Sequence, residues 1–228
     1  MKHNSGDEKL IPMLEWGVPA DIQGSDEIVL NSPIMIKAQE KIIELFKPKS
    51  NTAFVSLCTS TRPYSSGRKW NKFIKEFNDV DFIISSNGGV IPIEYENSYP
   101  YLTYDAHGTI EYDEVYKLYT TRNLIRFFIL KKYENIVFNF RPNLRNSKSA
   151  KIAGDYLFEK GHIKSYCIIP NIDLYNEAQN DGFTKLGLSM YPDLHPIVLT
   201  KLKESVIKYT KNTTIKKEKD ENDINLFW

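Results

Sequence analysis

The stretch TAFVSLCTSTRPYSSGRKWNKFIKEFNDVDFIISS, residues 52–86, decides the fold. Its two ends, Thr52–Cys58 and Asp81–Ser86, are nearly continuous apolar runs of strand length, the pattern of strands covered on both faces. Between them, about residues 67–77 read as a helix. Strand, helix, strand in so short a span is a crossover unit that joins parallel neighbours. The alternation continues downstream. Asn135–Phe140 and Lys164–Pro170 read as further strands, and residues 112–119, 121–133 and 149–160 as helices, with Ile125, Phe128, Ile129 and Ile152, Tyr156, Leu157 at helical spacing. Upstream, Ser32 offers a side-chain cap and Pro33 a first helical position, and Ile34, Ala38, Ile42 and Leu45 then predict a helix over 33–46. Pro196–Thr210 reads as a final amphipathic helix. The expected fold class is α/β, three-layer, with a four-stranded mostly parallel sheet and helices on both faces.

A length of 228 residues suits one large domain, placed at 31–212. Residues 1–30 read as an extended arm with the anchors Leu14, Trp16 and Val18, and 213–228 as a charged tail ending in Leu226-Phe227-Trp228. Hydrophobic residues at 41% and charged residues at 26% exclude a disordered, collagenous or coiled-coil chain. Thirty Lys and Arg balance 29 Asp and Glu, so a net charge of +1 leaves nucleic-acid binding to local patches or a partner. Two cysteines, Cys58 and Cys167, both in apolar runs, exclude a disulfide framework. The residues after Met1 form no apolar leader core, and no run reaches the ~18 apolar residues of a membrane span. The expected location is the cytoplasm, with no membrane contact.

Ligands of an open parallel sheet bind beyond the carboxyl ends of its strands, where helix N-termini also point free N–H groups. Two segments follow such ends. Cys58 leads into Ser60, Arg62, Pro63, Tyr64 and then Gly67-Arg68-Lys69-Trp70, a run dense in hydroxyls that enters a helix. Ser85-Ser86 leads into Asn87-Gly88-Gly89, Glu94, Glu96, Tyr99-Pro100 and Tyr104-Asp105, where the glycine pair lets the backbone approach a ligand. Both are expected to face one crevice. His107 stands beside Gly108 and reads as a turn, while His3, His162 and His195 lack partners at metal-ligand spacing. No metal or cofactor is expected.

These residues carry a resemblance. Residues 26–108 resemble the core catalytic domain of archaeosine synthase, whose motif is Pro-Cys-x3-Lys-Pro-Tyr-x2-Ser-x2-His, followed by Ser-Pro-Leu-Gly-Val-Val-Pro-Arg-Glu-Leu-Glu, Tyr-Pro and Tyr-Asp. Cys58, Pro63, Tyr64, Ser86, Gly89, Val90, Pro92, Glu94, Glu96, Tyr99, Pro100, Tyr104 and Asp105 match in order and spacing. Leu57, Arg62, Gly67 and Trp70 depart from it, and Arg62 keeps the lysine's charge without its usable amine. The resemblance implies a fold similar to the uracil-DNA glycosylases. It also implies a lysine transfer, in which the side-chain amine of free lysine adds to the nitrile of 7-cyano-7-deazaguanine at tRNA position 15, and a radical-SAM enzyme cleaves the adduct downstream. Long members of that family carry a transglycosylase-like region and an RNA-binding PUA domain, so the resemblance implies a second subunit supplying them.

A lysine amine costs about 4.6 kcal/mol to deprotonate at pH 7. The resemblance therefore casts Asp105, Glu94 and Glu96 as holders or bases for the ammonium, with Asp105 the leading candidate. Arg62, Tyr64 and the amides around Ser60 and Gly89 become donors to the nitrile nitrogen. Cys58 has two readings: a nucleophile forming a thioimidate, or an inert thiol at a strand end. Tyr64, Tyr99 and Tyr104 could stack on an extruded base. Arg68, Lys69, Lys72 and Lys75 after the first motif, and Arg141, Arg145, Lys148 and Lys151 after the third strand, form two basic clusters, read either as RNA-phosphate contacts or as solvated faces. A non-catalytic binding or assembly subunit of the same pathway, and a base-excising glycosylase, are the alternatives to the transferase.

Overall fold

The computed structural model describes residues 23–25, 29, 31–107, 113–181 and 192–211, of which 23–25, 105–107, 113 and 192 are described for the backbone alone. Five strands form the main sheet: β2 (Thr52–Leu57), β3 (Asp81–Ser86), β4 (Gly89–Pro92), β6 (Asn135–Asn139) and β7 (Ser165–Ile169). Their order is β4-β3-β2-β6-β7. β3, β2, β6 and β7 are parallel, and β4 runs antiparallel to β3 at one edge. The four parallel strands lie where the apolar runs predict them. The fifth corrects the expectation of four: Gly88-Gly89 read as a ligand-facing loop, whereas Gly89 starts a hairpin partner for β3. A separate pair, β1 (Gln23–Ser25) and β5 (Asp105–His107), is parallel and joins the arm to the backbone of the second motif segment.

Six helices surround the sheet among the described residues: α1 (Pro33–Leu45), α2 (Arg68–Glu76), α3 (Asp113–Lys131), α4 (Arg145–Glu159), α5 (Ile172–Asp181) and α6 (Pro196–Lys211). β2 alternates faces as a doubly covered strand must. Phe54 meets Phe73 and Phe77 at the end of α2, and Thr52 Oγ1 reaches the Tyr209 carbonyl of α6, while α1 and α3 pack from the other side against β4. Buried Ala53, Val55, Ile83, Ile84, Ile136 and Val137 fill the centre.

Several local readings change. Ser32 makes no side-chain cap bond; its carbonyl accepts Ile36 N instead. The two helices read at 112–119 and 121–133 are one, because Thr121 Oγ1 bonds the Lys117 carbonyl at 2.7 Å and the threonine pair sits inside the helix rather than breaking it. α4 starts a turn earlier than 149, and its Ile152 is exposed rather than core, with Ala153 and Leu157 buried beside it. α5 lies where the sequence pattern predicts no element; Asn171 Oδ1 accepts Leu174 N at 2.9 Å, a cap whose residue type stands ahead of Ile172. Residues 1–22 with Leu14, Trp16 and Val18, and 212–228 with Leu226-Phe227-Trp228, lie outside the described residues. No helix among the described residues is long and apolar enough to cross a membrane.

Candidate functional site

From β2 the chain goes first to β3 and β4 on one side, then to β6 and β7 on the other. The strand order therefore reverses between β2 and β6, and the carboxyl ends at that reversal are where sheets of this kind bind ligands. Ser56 Oγ donates to Asn139 Oδ1 at 2.9 Å across that boundary, and Asn139 Nδ2 donates to the Ile169 carbonyl at 3.1 Å. These bonds fix the floor. Cys58 follows β2 directly, and Arg141 comes two residues after the end of β6.

The two loop segments do meet. Tyr64 OH and Tyr104 OH lie 3.0 Å apart, both rings buried. The Arg62 guanidinium sits 4.2 Å from the Tyr64 ring centre and 5.1 Å from that of Tyr104, within cation–π range of both. It also donates to the carbonyls of Thr59 and Thr61, so the loop holds its own arginine in place. Ser86, at the end of β3, bonds Tyr104, accepts Gly88 N at 3.0 Å and donates to the Gly89 carbonyl. Burial pushes the Tyr104 phenol up to about 12, with the Cys58 charge adding to it, and carries Tyr64 well above its usual range. Both phenols are therefore neutral at physiological pH. Burial also raises the Cys58 thiol, against the pull of Arg62, Lys69 and the Asn87 amide. Half-buried and beside two cations, it is a thiol at rest that gains from any added positive charge.

The remaining predicted residues divide. Pro63 precedes the 3-10 turn Tyr64–Ser66. Glu96 is buried, and its Oε2 accepts Ser65 N at 2.7 Å, so it fixes that turn. Glu94 leaves the site. β4 runs back along β3, and the turn Ile93–Tyr95 puts Glu94 beside Lys49 at the amino ends of the strands. An extended segment would have placed Glu94 and Glu96 on one side; the 3-10 turn separates them. Gly89, at φ +117°, admits the Gln39 amide rather than a ligand: a Cβ there would lie 2.3 Å from Gln39 Cδ. Ser60 is exposed and Tyr99 half-buried. The backbone of Asp105 pairs with Gln23 next to Tyr104, while its side chain, and those of His107 and His3, lie outside the described residues.

The basic clusters are also sorted. Arg68, Lys72 and Lys75 line the exposed face of α2, where Lys72 pairs with Glu76 at 2.8 Å. Lys69 is corrected: at 4% exposure it points into the molecule, 3.9 Å from Asp193 Oδ2, and offers nothing to a surface phosphate. Helix spacing separates it, since residue 69 shares the buried side with Trp70 and Phe73 while 68, 72 and 75 face out. Arg145 lies 3.7 Å over the Tyr116 ring, and Arg141 is half-buried near Lys69. Lys148 is exposed, and Lys151 pairs with Asp155 on the surface. Asp193, in the turn Pro192–Leu194, was missed because nothing in its local sequence marks a carboxylate that reaches back to α2. His162 and His195 are buried, and no group of three His, Cys, Asp or Glu residues suited to a metal ion occurs among the described residues.

Compared with known proteins, residues 35–158 match the profile of a family described as "Domain of unknown function (DUF5591)". No curated protein matches the chain. Among solved structures, one described as "Crystal structure of AF0587, a protein of unknown function" is similar at 18% identity and a TM-score of 0.49, over 79% of this chain. The chain spans 51% of that structure's length.

Proposed function

The chain belongs to the DUF5591 family, and we propose that its crevice performs an archaeosine-synthase-type reaction: the amine of free lysine adds to the nitrile of 7-cyano-7-deazaguanine in tRNA. What carries the proposal is the meeting of two motif segments forty residues apart, with Tyr64 OH 3.0 Å from Tyr104 OH under the Arg62 guanidinium and beside Cys58. Each part matches a chemical need. Negative charge builds on the nitrile nitrogen during attack, and a fixed guanidinium beside a neutral phenol pair is a donor group suited to it. Flat aromatic faces suit a purine-like base. Cys58 sits where a thiol can form a thioimidate and split the addition into two steps.

In this reading Glu96 is a positioning residue, holding the Tyr64 turn through the Ser65 amide. Asp105 remains the proposed holder of the incoming ammonium, from its backbone position next to Tyr104. Arg68, Lys72, Lys75 and Lys148 supply the exposed cations for tRNA phosphates around the opening. A cytoplasmic transferase of this kind, with a sheet of the uracil-DNA glycosylase type, works with a second subunit that brings transglycosylase-like and PUA domains, upstream of a radical-SAM enzyme.

The experiment is to incubate the chain and its partner with lysine and tRNA carrying the cyano base. A lysine-dependent gain of one lysine mass per tRNA is expected, lost in Cys58→Ala and Tyr64→Phe. A complete complex that yields no adduct on its natural tRNA defeats the proposal.

A further inference from the structure

The buried lysine has no part in the chemistry so far. α2 begins at Arg68, so Lys69 stands in its first turn. Trp70 Nε1 donates to the Leu57 carbonyl at 3.1 Å and pins that turn to the end of β2. The neighbouring positions on each side of this bond are Lys69 and Cys58, which places both at the point where the strand order reverses. Lys69 is 4% exposed, and Asp193, 3.9 Å from its Nζ, is too far for a hydrogen bond. The second oxygen, Asp193 Oδ1, is buried with no hydrogen-bond partner. A buried ammonium and a buried carboxylate thus both keep unused bonding capacity next to a half-buried thiol.

Among the described residues, the charges around them are these. Cys58 faces Arg62 and Lys69, with the phenols of Tyr64, Tyr104 and Tyr116 near enough to feel its charge. Lys69 faces Asp193, Cys58 and Arg141. Burial favours the neutral form of each member of the pair, raising the thiol and lowering the amine, while each charged form stabilises the other. A proton on one is thus coupled to the charge of the other.

We propose that Lys69 is the acid–base partner of Cys58, moving one proton from the sulfur to the nitrogen of a bound nitrile while Asp193 holds the ammonium form. The idea rests on the nitrile reading given above. The Lys69 ammonium gives a proton to the nitrile nitrogen as a sulfur lone pair forms the S–C bond to the nitrile carbon and one C–N π pair moves onto nitrogen. The amine so formed takes the S–H proton. The product is a neutral thioimidate, with the lysine again an ammonium and nothing oxidised or reduced. The incoming amine then forms its C–N bond, the C–S bond breaks toward sulfur, and Lys69 returns the surplus proton of the amine to the thiolate. Asp193 Oδ1 is the acceptor that lets the ammonium exist in a dry site.

Iodoacetamide alkylation of the full chain, resolved by peptide mass between about pH 6 and 10, tests the pair without any nitrile. Near pH 8, Cys58 is expected to react roughly tenfold more slowly in Lys69→Met than in the parent, one unit of thiol pKa. Cys167 should react equally in both and so report an intact fold. Asp193→Asn slows Cys58 in the same direction, and Lys69→Arg, which keeps the charge without a transferable proton, keeps the alkylation rate but loses nitrile addition. Equal Cys58 rates in parent and Lys69→Met overturn the pairing. The free base 7-cyano-7-deazaguanine should add its whole mass to Cys58. An adduct formed as fast in Lys69→Met as in the parent overturns the role of Lys69. No adduct in a parent whose alkylation still depends on Lys69 overturns the nitrile reading instead.

Discussion

The two ends of the sheet each bury a charged side chain, and they treat it differently. At the amino ends, Asp81 Oδ2 accepts Lys49 N at 2.9 Å, Ser50 N at 3.1 Å and Tyr133 OH at 2.8 Å. Around it Asn135 reaches the Tyr209 carbonyl and Ser165 Oγ reaches Asn135 Oδ1. At the carboxyl ends, Lys69 has a carboxylate at 3.9 Å, and that carboxylate leaves one oxygen unbonded. A buried carboxylate held by three donors is a structural clasp, whereas a buried charge left short is a cost that stability alone does not justify. The contrast separates the end that holds the sheet together from the end at which the ligand is proposed to bind.

The sharpest way to break this contrast is Asp81→Ala. It orphans three donors at once and is expected to lower the unfolding free energy by about 3–5 kcal/mol in urea titration. A loss below about 1 kcal/mol would place no clasp at that end. Alkaline titration comes next. A phenol raised in the folded state contributes stability that is whole below its unfolded value of 10.0 and is lost as the pH climbs toward about 12 for Tyr104. The expected loss over that window is on the order of 2–3 kcal/mol. Phenolate absorbance should follow unfolding in the parent, and the loss should shrink in Tyr104→Phe. Glu96→Gln, which weakens the acceptor of Ser65 N, should cost about 1–2 kcal/mol and speed amide exchange at Ser65 and Ser66. The smallest effect sharpens the comparison most: the double variant Lys69→Met with Asp193→Asn, which removes both charges together, should unfold within about 1 kcal/mol of the parent, or later, because the loosely paired ions recover little of their desolvation. A large destabilisation there would make Lys69 a clasp like Asp81.

The sequence showed the parallel core because doubly covered strands leave a signature independent of their partners: Thr52–Leu57 and Asp81–Ser86 are apolar on successive residues. β4 hid because Gly88-Gly89 suits a loop as well as a hairpin, and only the pairing with Ser85 and Ser86 settles which. In the site, the meeting of Tyr64 with Tyr104 followed from the rule that loops after parallel strands share a crevice. Glu94 did not follow, since its departure depends on that same hidden strand. Lys69 looked like its neighbours Arg68 and Lys72 because charge is visible in a sequence and the side of a helix is not, until the phase set by Trp70 and Phe73 is applied. Asp193 lies more than a hundred residues from its lysine, beyond any local pattern.

Gln39 has a consequence at the sheet's margin. Its side-chain amide accepts Val90 N at 2.9 Å and donates to the Val90 carbonyl at 3.3 Å, and it also donates to Tyr101 OH at 2.6 Å. A single helical residue thereby imitates one rung of a neighbouring strand and occupies the groups that β4 would otherwise present to another chain. The glycine at 89 is the gap through which this imitation enters. The border of the sheet is thus sealed from within, by a carboxamide, against the ribbon-to-ribbon sticking that bare outermost strands invite.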